Sequence, residues 1–237
     1  MRIPDFFRPV RALCVAALLT AGLFAGCASG GGVPAGLDPV SSPEWATDMA
    51  RFAAEDARTP PPERPVVFTG SSSVRMWETL AADFSDVAVL NRGFGGSQVR
   101  DAIWYADEVA LRYRPRQIVL YAGDNDIAEG RSAAQVLADT EAFVTRIRAA
   151  QPGTPVALLG IKPSPSRAHL LDVQRAANDA LRAWAATQRN VAYIDVFTPM
   201  LDADGVPRED LFIADRLHMN AVGYALWRDI IGPYLVR

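Results

Sequence analysis

The sequence contains few residues that form cross-links or bind metal ions. Its 237 residues include two cysteines, two histidines and a single lysine, Lys162. Cys14 lies inside an apolar N-terminal run, so the chain beyond that run holds only Cys27, which excludes an internal disulfide and a cysteine-based metal site there. The formal charge is −3 and no run of basic residues is present, which argues against nucleic acid as a partner.

Long apolar runs are also missing. Arg2, Arg8 and Arg11 precede an apolar run over residues 12–26, which is shorter than the ~20 residues that a membrane-spanning helix needs. A basic start, a short apolar run and small residues at its end are typical of a secretory signal peptide. We therefore expect residues 1–26 to be removed and the protein to be exported.

Cys27 follows Leu23-Phe24-Ala25-Gly26, which resembles the lipobox of bacterial lipoproteins. The resemblance implies that Cys27 becomes the acylated first residue, anchored in the cell envelope and facing the periplasm. No Asp follows Cys27 directly, which in that family favours the outer membrane. We expect residues 27–42, which include Gly30-Gly31-Gly32, to form a flexible linker after the lipidated cysteine. The alternative is ordinary signal cleavage beside an incidental cysteine.

Residues 43–237 predict one α/β domain with a sizeable core. Short apolar runs alternate with amphipathic segments, which indicates right-handed crossovers and a parallel sheet covered on both faces. We predict a three-layer αβα sandwich with a five-stranded sheet in flavodoxin-like order. The predicted strands are 65–69, 87–90, 117–121, 156–159 and 191–195, and the predicted helices 73–83, 98–113, 132–150, 168–188 and 220–231, after a first helix that Ser41 would cap. Ser132 is the expected N-cap of the helix over 132–150.

Polar motifs follow the first three predicted strands. They are Gly70-Ser71-Ser72-Ser73, the glycine-rich segment 91–97, and Gly123-Asp124-Asn125-Asp126. In an open parallel sheet a site forms at the carboxyl ends of the strands, so these motifs should converge. Each has a plainer interpretation: serines that cap a helix, a flexible glycine turn, and an Asx turn.

Asp215 and His218 suggest the rest of a hydrolytic site. A carboxylate three residues before a histidine can bond to one imidazole nitrogen and leave the other free to accept a proton from a nucleophile. His169 has no carboxylate at that spacing and is expected at the surface. Asp195, at the end of the fifth strand, is expected to accept backbone hydrogen bonds. Trp77 and Trp104 are expected in the core, with a pocket as the alternative.

In order and spacing, these motifs resemble the SGNH hydrolases, also called GDSL-type esterases, from about residue 65 to 231. The resemblance implies that Ser72 is the nucleophile, and that the Ser72 and Gly96 N–H groups and the Asn125 side chain form the oxyanion hole. It further implies Asp215 and His218 as acid and base, and no metal or cofactor. Ser71 stands where the family usually has Asp, although serine at this position is familiar in relatives resembling platelet-activating-factor acetylhydrolase. Ser71 and Ser73 are the alternative nucleophiles.

The resemblance implies acyl transfer to water through an acyl-serine, with a small acyl ester, such as an acetyl ester, as substrate. The fold alone does not define the alcohol, so a lysophospholipase or thioesterase is an alternative. A second is a non-catalytic lipoprotein that holds a glycan or lipid in the same cleft. A phosphoryl-transfer enzyme would need a phosphate loop or paired metal carboxylates, which the sequence lacks.

Overall fold

The computed structural model describes residues 42–237. The predicted signal peptide, Cys27, the linker up to residue 41 and the Ser41 cap lie outside the described residues. Within the described part, no helix combines the length and apolarity needed to cross a membrane.

Five parallel strands form the central sheet. They are β1 (Val66–Gly70), β2 (Val89–Gly93), β3 (Gln117–Tyr121), β4 (Val156–Leu159) and β5 (Val191–Ile194), in the order β2-β1-β3-β4-β5. The register places Gly70 beside Gly93 on one side and Tyr121 on the other, so three strands end at one level. The predicted sheet and its order are confirmed.

Helices cover both faces of this sheet. They are α1 (Ala46–Arg58), α2 (Ser72–Arg75), α3 (Leu80–Asp83), α4 (Val99–Trp104), α5 (Ala106–Val109), α6 (Asp124–Ala128), α7 (Ala133–Ala150), α8 (Leu171–Ala186) and α9 (Ala221–Ile231). Successive strand residues point to opposite faces. Val67 therefore packs with Phe52 of α1 and Phe143 of α7, whereas Phe68 packs with Trp227 of α9 on the other face.

Trp77 belongs to the second of these cores. Its side chain is 1% exposed and lies 5.9 Å from the Phe68 ring, 5.5 Å from Phe84 and 6.1 Å from Trp227, measured between ring centroids. Aromatic edge-to-face contacts of this kind add to the free energy of apolar burial. The prediction that Trp77 lies in the core is confirmed, whereas the same prediction for Trp104 was wrong, because its side chain is 37% exposed.

The predicted second strand, 87–90, was wrong at both ends, because β2 runs over Val89–Gly93. The polar Asn91 and Arg92 looked like loop residues, yet both have partners inside the fold. Asn91 Nδ2 donates to the Val74 carbonyl at 2.7 Å, and Arg92 Nε donates to the Tyr113 hydroxyl at 2.8 Å. Satisfied polar groups can be buried in a strand at low cost.

Two predicted helices are interrupted. The segment 73–83 forms α2 and α3 with a turn between them. The Val74 carbonyl accepts a hydrogen bond from Asn91 Nδ2, and Trp77 Nε1 donates to Asp83 Oδ2 at 2.7 Å. The segment 98–113 divides at Tyr105 (φ −93°, ψ 19°), whose ring packs edge-on against Phe94. The Ser132 cap is confirmed, because its side chain accepts the Gln135 N–H.

Candidate active site

The turn after β1 presents Ser72. Gly70 has φ +115°, and a Cβ there would lie 1.9 Å from the Tyr121 carbonyl oxygen, so only glycine fits. The Ser71 N–H donates to that same oxygen at 2.9 Å. Ser71 and Ser73 are buried, at 0% and 1% exposure, whereas Ser72 begins α2 half-buried at the surface of a cleft.

The loop before α9 holds Asp215 and His218. Asp215 Oδ1 accepts the Leu217 and His218 N–H groups, both at 2.9 Å, which closes a tight turn. The other oxygen, Oδ2, lies 2.6 Å from His218 Nδ1. Asn220 then caps α9 by accepting the Val222 N–H at 2.8 Å, so the loop is tied to the helix that follows.

His218 joins this loop to the turn that presents Ser72. Its Nε2 lies 2.9 Å from Ser72 Oγ, and the two residues are 146 positions apart in the sequence. The carboxylate at Nδ1 fixes the tautomer that carries its proton there. Nε2 is then the acceptor for the Ser72 hydroxyl proton, which is the arrangement of a general base beside a nucleophile.

Asp215 is held in its charged form. Burial by itself would raise its pKa, but hydrogen bonds from the His218 ring and from the His218 and Leu217 N–H groups outweigh that effect and lower the pKa to about 2. The carboxylate therefore stays ionised at neutral pH and can stabilise an imidazolium.

The glycine-rich loop after β2 lies against the same turn. A Cβ on Gly93 would lie 2.3 Å from the backbone nitrogen of Arg75, so the loop packs directly on α2. The Phe94 N–H donates to the Gly70 carbonyl at 2.8 Å, and Gly96 has φ +81°. Within residues 42–237 neither the Ser72 N–H nor the Gly96 N–H donates a hydrogen bond. Two free donors thus remain beside the cleft.

Asn125 follows β3 through Gly123, which has φ +114°. Its Nδ2 donates to the Ser97 carbonyl at 3.0 Å, and its Oδ1 accepts from Arg167 Nη2 at 3.0 Å. An amide nitrogen has two hydrogens. The second N–H is therefore available for a group in the cleft.

The five residues predicted for the catalytic triad and the oxyanion hole meet at the carboxyl edge of the sheet. Ser72 and Asn125 lie in the first turns of α2 and α6, and Gly96, Asp215 and His218 lie in loops. Four of them line one open cleft of about 400 Å³, and Asp215 lies behind the His218 ring. The other residues of the lining are Asp48, Arg75, Gly95 and Leu217.

The second histidine, His169, and the carboxylate after β5, Asp195, lie outside the lining of this cleft. His169 is exposed on the 3₁₀ helix Pro165–Leu170. Asp195 accepts the Phe197 and Thr198 N–H groups, each at 3.0 Å, as expected for a carboxylate at a strand end.

Sequence reasoning missed a buried ionic cluster beneath Asn125. Asp124 Oδ2 lies 3.4 Å from Lys162 Nζ and 3.0 Å from Arg167 Nη1, and the Asp124 and Lys162 side chains are 4% and 1% exposed. Burial raises the pKa of Asp124, but the two cations outweigh it and lower that pKa below its usual value. One signal was present: Lys162, the single lysine, comes just after β4.

Comparison with known proteins identifies the family. The GDSL-like lipase/acylhydrolase family matches residues 59–226, and the chain belongs to that family. The matched range contains every residue of the cleft except Asp48. The comparison with curated proteins gives no match.

Solved structures share the fold. A Streptococcus pneumoniae protein described as a candidate platelet activating factor is 22% identical, covering 82% of this chain and 94% of its own, with a TM-score of 0.72. A GDSL-like lipase from Bacteroides thetaiotaomicron is 20% identical, covering 78% and 96%, with a TM-score of 0.65. An acetyl esterase mutant with an acetate ion is 20% identical, covering 71% and 94%, with a TM-score of 0.54. At these identities the likeness shows the fold alone.

Proposed function

We propose that the protein is a serine esterase that hydrolyses short-chain carboxylic esters, acetyl esters in particular. The observation that carries the proposal is the continuous chain from Asp215 through His218 to Ser72, with contacts of 2.6 and 2.9 Å. Nucleophile, base and orienting acid within hydrogen-bond reach are the signature of acyl transfer through a covalent intermediate.

In the first half-reaction, Ser72 Oγ attacks the ester carbonyl carbon while its proton passes to His218 Nε2. The carbonyl oxygen becomes an oxyanion that accepts hydrogen bonds from the Ser72 and Gly96 N–H groups and from Asn125 Nδ2. His218 returns the proton to the leaving alcohol as the carbon–oxygen bond breaks. Water then attacks the acyl-serine by the same route, with His218 again as base, and releases the carboxylic acid.

The open, partly polar cleft favours a small acyl group. Its lining offers Leu217 as an apolar contact but no deep apolar tunnel in the described structure, which a long acyl chain would need. The acetyl esterase among the related structures supports the same substrate class by analogy of fold.

We also propose that Cys27 carries a lipid that anchors the enzyme in the bacterial cell envelope, with the catalytic domain facing the periplasm. The support is the sequence of residues 23–27 and the basic and apolar segments before it. A diacylated cysteine would hold the domain at the membrane surface without a spanning helix. The outer membrane is the favoured location.

The test is hydrolysis of p-nitrophenyl acetate, butyrate and octanoate by the purified full-length protein and by Ser72→Ala. We expect acetate to be the best substrate and the variant to lose all but a trace of activity with an unchanged circular dichroism spectrum. Ser71→Ala and Ser73→Ala are matched controls that should stay active. Activity that persists in Ser72→Ala would exclude Ser72 as the nucleophile, and a folded but inactive wild type would favour the non-catalytic lipoprotein.

A further inference from the structure

We infer that Arg167 is a positioning residue for this reaction: it sets the orientation of the Asn125 amide, so that an N–H group and not the carbonyl oxygen faces the oxyanion. The inference rests on the proposed function, because it concerns the oxyanion donor of that site. Arg167 does not line the cleft. It would act on the substrate only through Asn125.

The two ends of the Asn125 amide have different partners. Nδ2 donates to the Ser97 carbonyl at 3.0 Å, and Oδ1 accepts from Arg167 Nη2 at 3.0 Å. Rotating the amide by 180° would place its NH₂ against the guanidinium and its oxygen against the Ser97 carbonyl. Both contacts would then be repulsive, because donors would face donors and acceptors would face acceptors.

The Arg167 contact is the stronger half of this selection. A hydrogen bond from a charged donor is roughly twice as strong as one between neutral groups. The Ser97 carbonyl alone would still oppose rotation of the amide, but it is a neutral partner and the weaker of the two. Loss of Arg167 would therefore lower the free-energy cost of the flipped orientation, in which the amide oxygen faces and repels the developing negative charge.

Arg167 is itself fixed by the buried cluster. Its side chain is 17% exposed, and its second nitrogen, Nη1, lies 3.0 Å from Asp124 Oδ2, which also contacts Lys162 at 3.4 Å. A planar guanidinium can form an ion pair with Asp124 through one nitrogen and donate a hydrogen bond to Asn125 through the other, because the two nitrogens are held at a fixed angle. A lysine has a single nitrogen and cannot reproduce that geometry.

The Arg167 segment also contacts the loop of the acid and base. The Ser166 N–H donates to the Arg216 carbonyl at 3.0 Å, one residue from Asp215. The same 3₁₀ helix, Pro165–Leu170, thus touches both the oxyanion side and the His218 side of the site. Its role is to hold these two sides in fixed relation.

The test is a double-mutant cycle on the full-length protein with p-nitrophenyl acetate. Asn125→Ala should lower kcat by roughly 10²–10³-fold, the usual cost of one oxyanion donor. Arg167→Met should lower kcat by roughly 10–100-fold, the order of effect of a slightly misplaced group, with little change in KM. If Arg167 acts only through Asn125, adding Arg167→Met to Asn125→Ala should change kcat less than about twofold.

Two further variants separate orientation from charge and from general damage. Arg167→Lys keeps a cation beside Asp124, so it should fold even if Arg167→Met does not. Its kcat should still fall, because a single ammonium nitrogen cannot contact Asp124 and Asn125 together. Arg182→Met removes an arginine that pairs with Asp179 and Asp195, away from the cleft, and should leave kcat unchanged.

Two results would overturn the inference. One is wild-type kcat in the folded Arg167 variants. The other is a full multiplicative effect of Arg167→Met in the Asn125→Ala background, which would mean that Arg167 acts on the substrate or on the whole fold. In both cases a wild type that depends on Ser72 would leave the proposed function intact. If instead the wild type shows no hydrolysis that depends on Ser72, both the proposed function and the inference about Arg167 would be wrong.

Discussion

Asp126 offers a quantitative test of how the fold treats a buried carboxylate. It follows Asn125, is 0% exposed, and accepts the Val99 N–H at 3.0 Å. Burial is the main reason that its pKa is raised to about 7, despite that hydrogen bond and with a smaller contribution from Asp124 and Asp139. Asp126→Asn removes the charge but keeps an oxygen for Val99, so it isolates the cost of ionisation.

The magnitude follows from the pKa difference. The pKa of Asp126 is 3.8 in the unfolded chain and about 7 in the folded protein, a difference of about three units. At about 1.4 kcal/mol per unit, ionising Asp126 in the folded state costs about 4 kcal/mol of stability. In this interval the folded state keeps a proton that the unfolded state has released. The contribution of Asp126 to the free energy of unfolding therefore falls as the pH rises from about 4 to about 7, and Asp126→Asn lacks that contribution.

The assay is thermal and urea unfolding of both proteins from pH 4 to pH 8. The stability advantage of Asp126→Asn should grow with pH and level off above about pH 7, reaching roughly 10 °C in Tm for a domain of this size. Asp101→Asn is a useful contrast, because burial raises the pKa of Asp101 to about 6 and its advantage should level off one pH unit earlier. An Asp126→Asn advantage that is constant across this range would refute the reasoning.

Two other predictions concern the turn before Ser72 and the N-terminus. Gly70→Ala should destabilise the fold by more than about 3 kcal/mol in urea unfolding, because its Cβ would lie 1.9 Å from the Tyr121 oxygen. The control Gly153→Ala should be nearly neutral, because its Cβ would have no atom within 4 Å. Equal effects of the two substitutions would contradict the turn geometry. Cys27→Ser should move the protein from the membrane fraction to the soluble periplasm and abolish acyl-chain labelling. Unchanged labelling would exclude Cys27 as the modified residue.

The sheet was predictable because its strands are short apolar runs that are separated by turn-forming prolines and glycines and by polar motifs. Val66, Val67 and Phe68 are all buried, as expected for a strand covered on both faces. The convergence of the candidate site residues was predictable for a related reason: polar residues follow strands whose ends meet at one edge. Local sequence thus contains most of the information that brings Ser72, Gly96 and Asn125 together.

Contacts between distant polar residues were not predictable in this way. Arg92 looked like a loop residue, but it is 4% exposed beside Tyr113. Arg167 contacts Asn125 across 42 positions, and Lys162 contacts Asp124 across 38. Such pairs depend on the angle at which one loop returns over another, and neither hydrophobic periodicity nor a short motif specifies that angle.

The separation of Ser72 and His218 by 146 residues has a consequence for when the enzyme becomes active. The serine emerges from the first strand of the sheet, and the histidine lies directly before the last helix, α9. A partly folded chain without the docked C-terminal loop would have Ser72 without the His218 ring beside it, and folds rich in contacts between distant residues form more slowly. Under the proposed function, ester hydrolysis would therefore begin only when the fold is complete, and its onset during refolding would report when the C-terminal segment docks.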